Sequence, residues 1–173
     1  AKVKLDDSVH LGVWGAGGLG HYGIQLGKIA GARVTAIDLH PEKLDAARKL
    51  GADVALSAEA AATWFKESKN RVDVALVCAT SVEGYRAAFA GLKKNGVMLV
   101  VGIPSQPLSW MAGDLIRLGA RIVPSRVASR AELTELLRLA SNGLVHSEIR
   151  THPLDDINNV MERLAAGQIF GRS

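Results

Sequence analysis

Cysteine is almost missing from this 173-residue sequence; Cys78 stands alone. One cysteine excludes an intrachain disulfide and any multi-cysteine zinc site, and it suits a reducing compartment, so the cytoplasm is the expected location. Long apolar runs are missing too. None reaches the length that spans a bilayer, no cleavable leader is visible, and no membrane role is expected. Charge of one sign never accumulates. Lysines and arginines sit near acids (Lys4 and Asp6, Glu42 and Lys43, Glu135 and Arg138), and the formal net charge is only +4. With no basic run, nucleic acid is not an expected partner. The five histidines, His10, His21, His40, His146 and His152, are scattered, with no His-x-x-x-His spacing for a metal.

What is present is ordinary in bulk and specific in order. Hydrophobic residues make up 48% and charged residues 22%, as in soluble globular proteins, and the length suits one domain with a full core. Strand-like apolar runs cover 9–14, 33–37, 54–56, 72–77, 97–101 and 120–123, with a short one at 149–152. Helical patterns lie between and after them at 18–30, 41–50, 58–66, 81–92, 111–118, 130–141 and 155–166. Several strands are nearly continuous Val, Ile, Leu and Ala, as expected when helices cover both faces. Regular β-α alternation predicts a parallel, doubly wound sheet in three α/β/α layers. Gly51 and Gly167 read as caps after helices, Pro41 as a first-turn residue, and Asn95-Gly96 as the end of the fourth helix. In the last helix Leu154, Ile157, Val160, Met161 and Leu164 share a face. Both ends of the chain read as cut, which suggests an excised domain.

The decisive stretch is Gly15-Ala16-Gly17-Gly18-Leu19-Gly20, after the first strand and opening a helix, with Asp38 closing the second strand. This is the context in which G-x-G-x-x-G becomes a dinucleotide-binding fingerprint of the Rossmann fold. Gly15 ends the strand in a tight turn, Gly17 lets the backbone approach a pyrophosphate, and Gly20 allows close packing of helix on sheet. Gly18 and Leu19 would turn N–H groups to the phosphates at the positive end of the helix dipole. Asp38 can accept hydrogen bonds from the adenosine ribose hydroxyls and would repel a 2′-phosphate; Leu39 follows it where an arginine would hold that phosphate. The expected coenzyme is therefore NAD rather than NADP. Asp38 could instead serve as a helix N-cap near Pro41.

Machinery for chemistry is harder to find. Tyr22 is followed four residues on by Leu26, and Tyr85 by Phe89, so the Tyr-x-x-x-Lys pair of short-chain dehydrogenases is absent. Cys78 reads as a small buried hydrophobe, and no catalytic or metal-binding residue is expected in these 173 residues.

The chain as a whole resembles the coenzyme-binding domain of zinc-containing medium-chain alcohol dehydrogenases. The motifs are Gly15-Ala16-Gly17-Gly18-Leu19-Gly20-His21, Leu50-Gly51-Ala52-Asp53, Val101-Gly102-Ile103-Pro104, and Pro153-Leu154 followed by Gly167 and Gly171-Arg172. The resemblance implies that Asp38 and Lys43 hold the adenosine ribose and that Ala79 and Thr80 flank the adenine. It implies a nicotinamide pocket lined by Val101 and Ile103, with Gly102 between them, and an Arg172 that reaches the pyrophosphate. It further implies hydride exchange between an alcohol or aldehyde and NAD, a catalytic zinc supplied by a second domain absent from this chain, and a homodimer through the sheet edge from about Gln106 to Ile122. One departure is local: Pro124 and Ala128 replace two glycines of the family's sixth-strand pattern. Two other readings remain open, a nucleotide-sensing module without catalysis and a zinc-free reductase of the same superfamily.

Overall fold

The computed structural model describes residues 3–169 and 171–173; Ala1, Lys2 and Phe170 lie outside them. Six parallel strands form one sheet: β1 (His10–Trp14), β2 (Arg33–Asp38), β3 (Val54–Ser57), β4 (Val72–Val77), β5 (Leu92–Val100) and β6 (Arg121–Pro124). Their order is β3-β2-β1-β4-β5-β6, the doubly wound arrangement of a Rossmann fold. The helices are α1 (Gly20–Ile29), α2 (Pro41–Lys49), α3 (Ala58–Trp64), α4 (Val82–Ala90), α5 (Ala112–Leu118), α6 (Arg130–Ser141) and α7 (Ile157–Ala165).

The period of two along each strand builds two cores. Leu11, Val13, Val34, Ala36 and Val74 face one side, where Ile24 of α1 and Leu44 and Ala47 of α2 close over them. Trp14, Ile37, Ala75, Val77 and Met98 face the other, beneath Ala61 of α3 and Tyr85 and Ala88 of α4. Helix α1 lies very close to the sheet. A Cβ at Gly23 would stand 2.4 Å from the Leu76 side chain, and one at Gly27 2.7 Å from Leu11. That intimacy offsets the roughly 1 kcal/mol that each mid-helix glycine costs. Serines start three helices: Ser57 and Ser81 accept from the N–H groups of Ala60 and Gly84, the third residues of α3 and α4, and Ser129 forms a full capping box with Glu132 at α6. The carboxylate of Asp53 accepts from the Val34 N–H at 2.7 Å and from the Lys28 ammonium at 2.8 Å, which ties β2, α1 and the turn into β3 together.

Two expectations are corrected. Asn95-Gly96 does not end α4; Gly91 does, and β5 has already begun. Leu92 pairs with Val72 and Val97 with Val74, so the segment from Lys93 to Gly96 bulges opposite Asp73, with Asn95 at a φ of 61°. Lys93 then reaches the Asp73 carboxylate at 2.8 Å. The Asn-Gly signal marks a real turn, but one inside a strand. The expected strand at 149–152 is, among the described residues, only a single parallel bridge between Ile149 and Arg172, outside the six-stranded sheet. Pro124 leaves the pairing intact. It closes the edge strand β6, where proline is tolerated, and the next residue, Ser125, donates to the Val100 carbonyl at 2.8 Å. The apolar stripe of the last helix stands open, with Leu154 80% and Met161 58% exposed.

Candidate coenzyme-binding site

In this strand order the chain leaves β1 in one direction and enters β4 on the other side, so a crevice opens beyond the carboxyl ends of β1 and β4. A cleft of about 820 Å³ lies there. It brings together Gly15, Gly17, Gly18, Leu19, Asp38, Lys43, Ala79, Thr80 and Arg172 from the sequence reading.

The loop that forms its floor is held from three sides. Gly15, at φ +91°, donates to the Ile37 carbonyl at 2.8 Å, while Cys78 and Ala79 donate to the Trp14 carbonyl. Gly20 lies behind the cleft rather than on its wall. A Cβ there would stand 1.8 Å from the Gly15 carbonyl oxygen, so only glycine lets α1 start so near the turn. Gly17 is the opposite case: no protein atom lies within 4 Å of where its Cβ would be. Its space is open to the cleft. Leu19 is the N-cap of α1, gives no side-chain cap, and no acid stands in the first turn. The partial positive end of a ten-residue helix therefore faces the cleft without an intrinsic counter-charge. Arg172 adds a full positive charge beside it, its guanidinium filling the space over Gly18 so closely that a Cβ there would be 2.6 Å from it. Together they make this end of the cleft electropositive.

Asp38 does not cap α2; the N-cap is His40, with no side-chain cap bond. Instead one carboxylate oxygen accepts from the N–H groups of Leu39 (2.8 Å) and His40 (3.1 Å), and the other from the Ala16 N–H at 2.8 Å. Three of the roughly four acceptor directions of a carboxylate are thus used within the protein, leaving about one for a ligand hydroxyl. The same side chain shapes the glycine loop and presents an acceptor to the cleft. Lys43 lies one turn into α2 and His40 at its start, both on the cleft wall.

Val101, Gly102 and Ile103 fall outside this lining. They continue from β5 across the end of β4, where Val101 and Gly102 both donate to the Val77 carbonyl. Gly102 packs so tightly under Ala79 that a Cβ would stand 2.1 Å from its carbonyl oxygen, whereas Ile103 is 85% exposed. Several wall residues carry no motif signal: Trp14, Ala58, Ser81, Glu83 and Ala87. Tyr85 is another. Buried under the site, its hydroxyl donates to the Gly102 carbonyl at 2.5 Å. Nothing in the sequence hints at that bond.

Burial pushes the Cys78 thiol up to about 12, which removes it as a nucleophile at neutral pH. His21 is fully buried, with Nδ1 3.2 Å from the Gly17 carbonyl oxygen. Burial holds its imidazole below the ordinary value, Arg172 adds to this, and the Gly17 hydrogen bond opposes it. Among the described residues no group of three or more His, Cys, Asp or Glu could hold a metal ion, and no helix is long and apolar enough to cross a membrane.

Comparison with known proteins agrees with this geometry. Residues 18–142 match the zinc-binding dehydrogenase family. An alcohol dehydrogenase of Geobacillus stearothermophilus is 36% identical over 162 residues, 92% of this chain and 48% of that protein. Among solved structures, the alcohol dehydrogenase of Aeropyrum pernix superposes with a TM-score of 0.90 at 31% identity, covering 97% of this chain and 50% of that one. Acetophenone reductase of Geotrichum candidum, solved in complex with NAD, also gives 0.90, at 28% identity and 99% and 49% coverage. The chain spans about half the length of the relatives it matches. With the glycine loop, the strand order and the match over most of its length in agreement, the chain belongs to the zinc-binding dehydrogenase family.

Proposed function

We propose that this chain is the NAD(H)-binding half of an alcohol dehydrogenase. The observation that carries the proposal is the cleft itself: an uncapped helix N-terminus and Arg172 at one place, and a carboxylate with one free acceptor direction at another. A diphosphate fits the first and a ribose hydroxyl the second. The unfilled space at Gly17 leaves room for the phosphates to come against the backbone. Asp38 orients the adenosine ribose and disfavours a 2′-phosphate, Lys43 stands by the same ribose, Ala79 and Thr80 border the adenine, and Arg172 neutralises the pyrophosphate. Val101, Gly102 and Ile103, beyond the cleft at the end of β5, form the nicotinamide side. Bound NAD supplies the hydride acceptor; these residues supply position and electrostatics.

Zinc does not fit the described residues. In this proposal it belongs to a part of the protein outside these 173 residues, together with the alcohol or aldehyde site. The open apolar stripe of α7 and the half-length match to relatives support a covering domain. The protein works in the cytoplasm, and two copies pair along the sheet edge at β6, near Met111 and Ile116, which are 75% and 80% exposed. Sedimentation of the chain tests that pairing; a monomer at high concentration refutes it. The central experiment is calorimetric titration with NAD, NADH and NADP under one condition. Clear preference for NAD(H) supports the proposal, and equal or tighter binding of NADP refutes its ribose argument.

A further inference from the structure

Gln25 does not border the cleft, yet the C-terminal return of the chain is fastened to it. The side chain is 5% exposed. Its Oε1 accepts from the His146 N–H at 2.8 Å, and its Nε2 donates to the His146 carbonyl at 3.0 Å and to the His21 carbonyl at 3.1 Å. The carboxamide thus engages both backbone groups of His146, as a neighbouring strand would. Three residues earlier on α1, the Tyr22 hydroxyl lies 2.6 Å from that of Ser147.

The fastened segment passes its position on. The Glu148 carbonyl accepts from the Arg172 N–H at 2.7 Å, and the Arg172 carbonyl from the Arg150 N–H at 2.8 Å. Gly171, at φ +74°, has no room for a side chain, because a Cβ would stand 2.3 Å from the Glu148 carbonyl oxygen. The guanidinium of Arg172 then comes to rest over Gly18. The path runs from the middle of α1, through the segment at 146–150, to Arg172, and back to the loop that opens α1. Hydrogen bonds to backbone groups fix each link up to the Arg172 main chain.

We infer that Gln25 is a positioning residue for the phosphate-binding arginine. Its carboxamide fixes where Arg172 stands over the glycine loop, and so sets affinity for the diphosphate of the coenzyme without touching it. The inference rests on the reading of the cleft as an NAD(H) site. The test titrates the chain with NADH, ADP-ribose and adenosine. Gln25→Met keeps side-chain length and removes three hydrogen bonds; NADH and ADP-ribose should bind about tenfold more weakly, and adenosine within about twofold of wild type. In an Arg172→Ala background the same substitution should change NADH affinity by less than about twofold, since neighbours in one network are not additive. Tyr22→Phe, which leaves the buried amide in place, should act in the same direction at about threefold. Equal losses for adenosine and NADH, or an undiminished Gln25→Met effect without Arg172, would overturn the inference while leaving the coenzyme site standing. A wild-type chain that binds neither NADH nor ADP-ribose would overturn the coenzyme reading, and this inference with it.

Discussion

Asp38 is asked to do two things, and replacing it separates them. In Asp38→Gly with Leu39→Arg, the ribose loses its carboxylate partner and a 2′-phosphate gains a cation. Leu39 is 74% exposed, so the arginine displaces no packing. A hydrogen bond to a charged group contributes about 1.5–3 kcal/mol, so NADH binding should weaken by about ten- to a hundredfold while NADPH binding improves. Stability should fall as well. The Ala16 N–H loses its 2.8 Å acceptor beneath a buried residue, whereas the N–H groups of Leu39 and His40 can turn to water. One orphaned buried donor costs about 1–3 kcal/mol, which lowers the melting temperature of a domain this size by about 3–10 °C. Calorimetry gives the affinities and a thermal melt the stability. If the variant keeps its NAD preference, the ribose account is wrong; if selectivity changes with no loss of melting temperature, Asp38 does not hold the glycine loop.

Further outcomes attach to single positions. Gly17→Ala should melt within about 1 kcal/mol of wild type, since its Cβ meets nothing, yet lose NADH affinity; Gly20→Ala, with its Cβ 1.8 Å from a carbonyl oxygen, should unfold or destabilise the chain severely. Retained NADH affinity in Gly17→Ala would move the pyrophosphate elsewhere. For Asp53, burial works against the charge, but the Lys28 and Val34 hydrogen bonds outweigh it and hold the carboxyl below its ordinary value. Asp53→Asn should therefore cost about 1 kcal/mol at neutral pH, discounted for its half-open ion pair, and the difference should vanish in acid once the native carboxyl is protonated; urea melts at two pH values check this. His10 is held below its ordinary value by burial first and by Arg33 next, with Lys93 adding and the Arg71 carbonyl and Asp73 opposing; His21 is shifted the same way. The unfolded chain takes up protons near pH 6.5 that the folded one refuses, so stability is full above that pH and declines below it toward the folded values. Melting temperature should drop between pH 7.5 and 5.5, and less so in His10→Gln; an unchanged slope refutes the assignment. Finally, Cys78 should react with a thiol reagent more slowly in the native chain at pH 8 than in urea, and prompt native labelling would contradict its half-buried, protonated state.

Most of the sheet and half of the cleft were legible in the sequence because they are local. A strand, a glycine loop and a helix start are written in consecutive residues, and so is the acid that closes β2. Continuous apolar runs mark five strands within a residue or two, and Pro41, Gly51 and Gly167 mark helix ends. The fifth strand is the instructive exception. Asn95-Gly96 carries the signature of a turn, and the chain does turn there, but whether a turn lies between elements or inside one is decided by the neighbouring strand. The pairing of Val72 with Leu92 and of Val74 with Val97 makes that decision across twenty residues of sequence.

The remaining half of the site was hidden for the same reason, carried further. The sequence points Asp38 at a ribose, but its service to the Ala16 N–H depends on β1 and β2 lying side by side. Tyr85 and Gly102 meet only because α4 crosses over the end of β5. Arg172 stands 154 positions after Gly18, and what brings it there is a single parallel bridge between Ile149 and Arg172 that its own segment does not announce. A motif records the residues that touch a ligand, since they must keep their type to do so. The residues that aim them, such as Gln25, need only present a donor and an acceptor at one spot in space. Polar side chains of that kind are common on any helix, and only burial, with both hydrogen-bonding ends of the amide engaged, distinguishes this one from its neighbours.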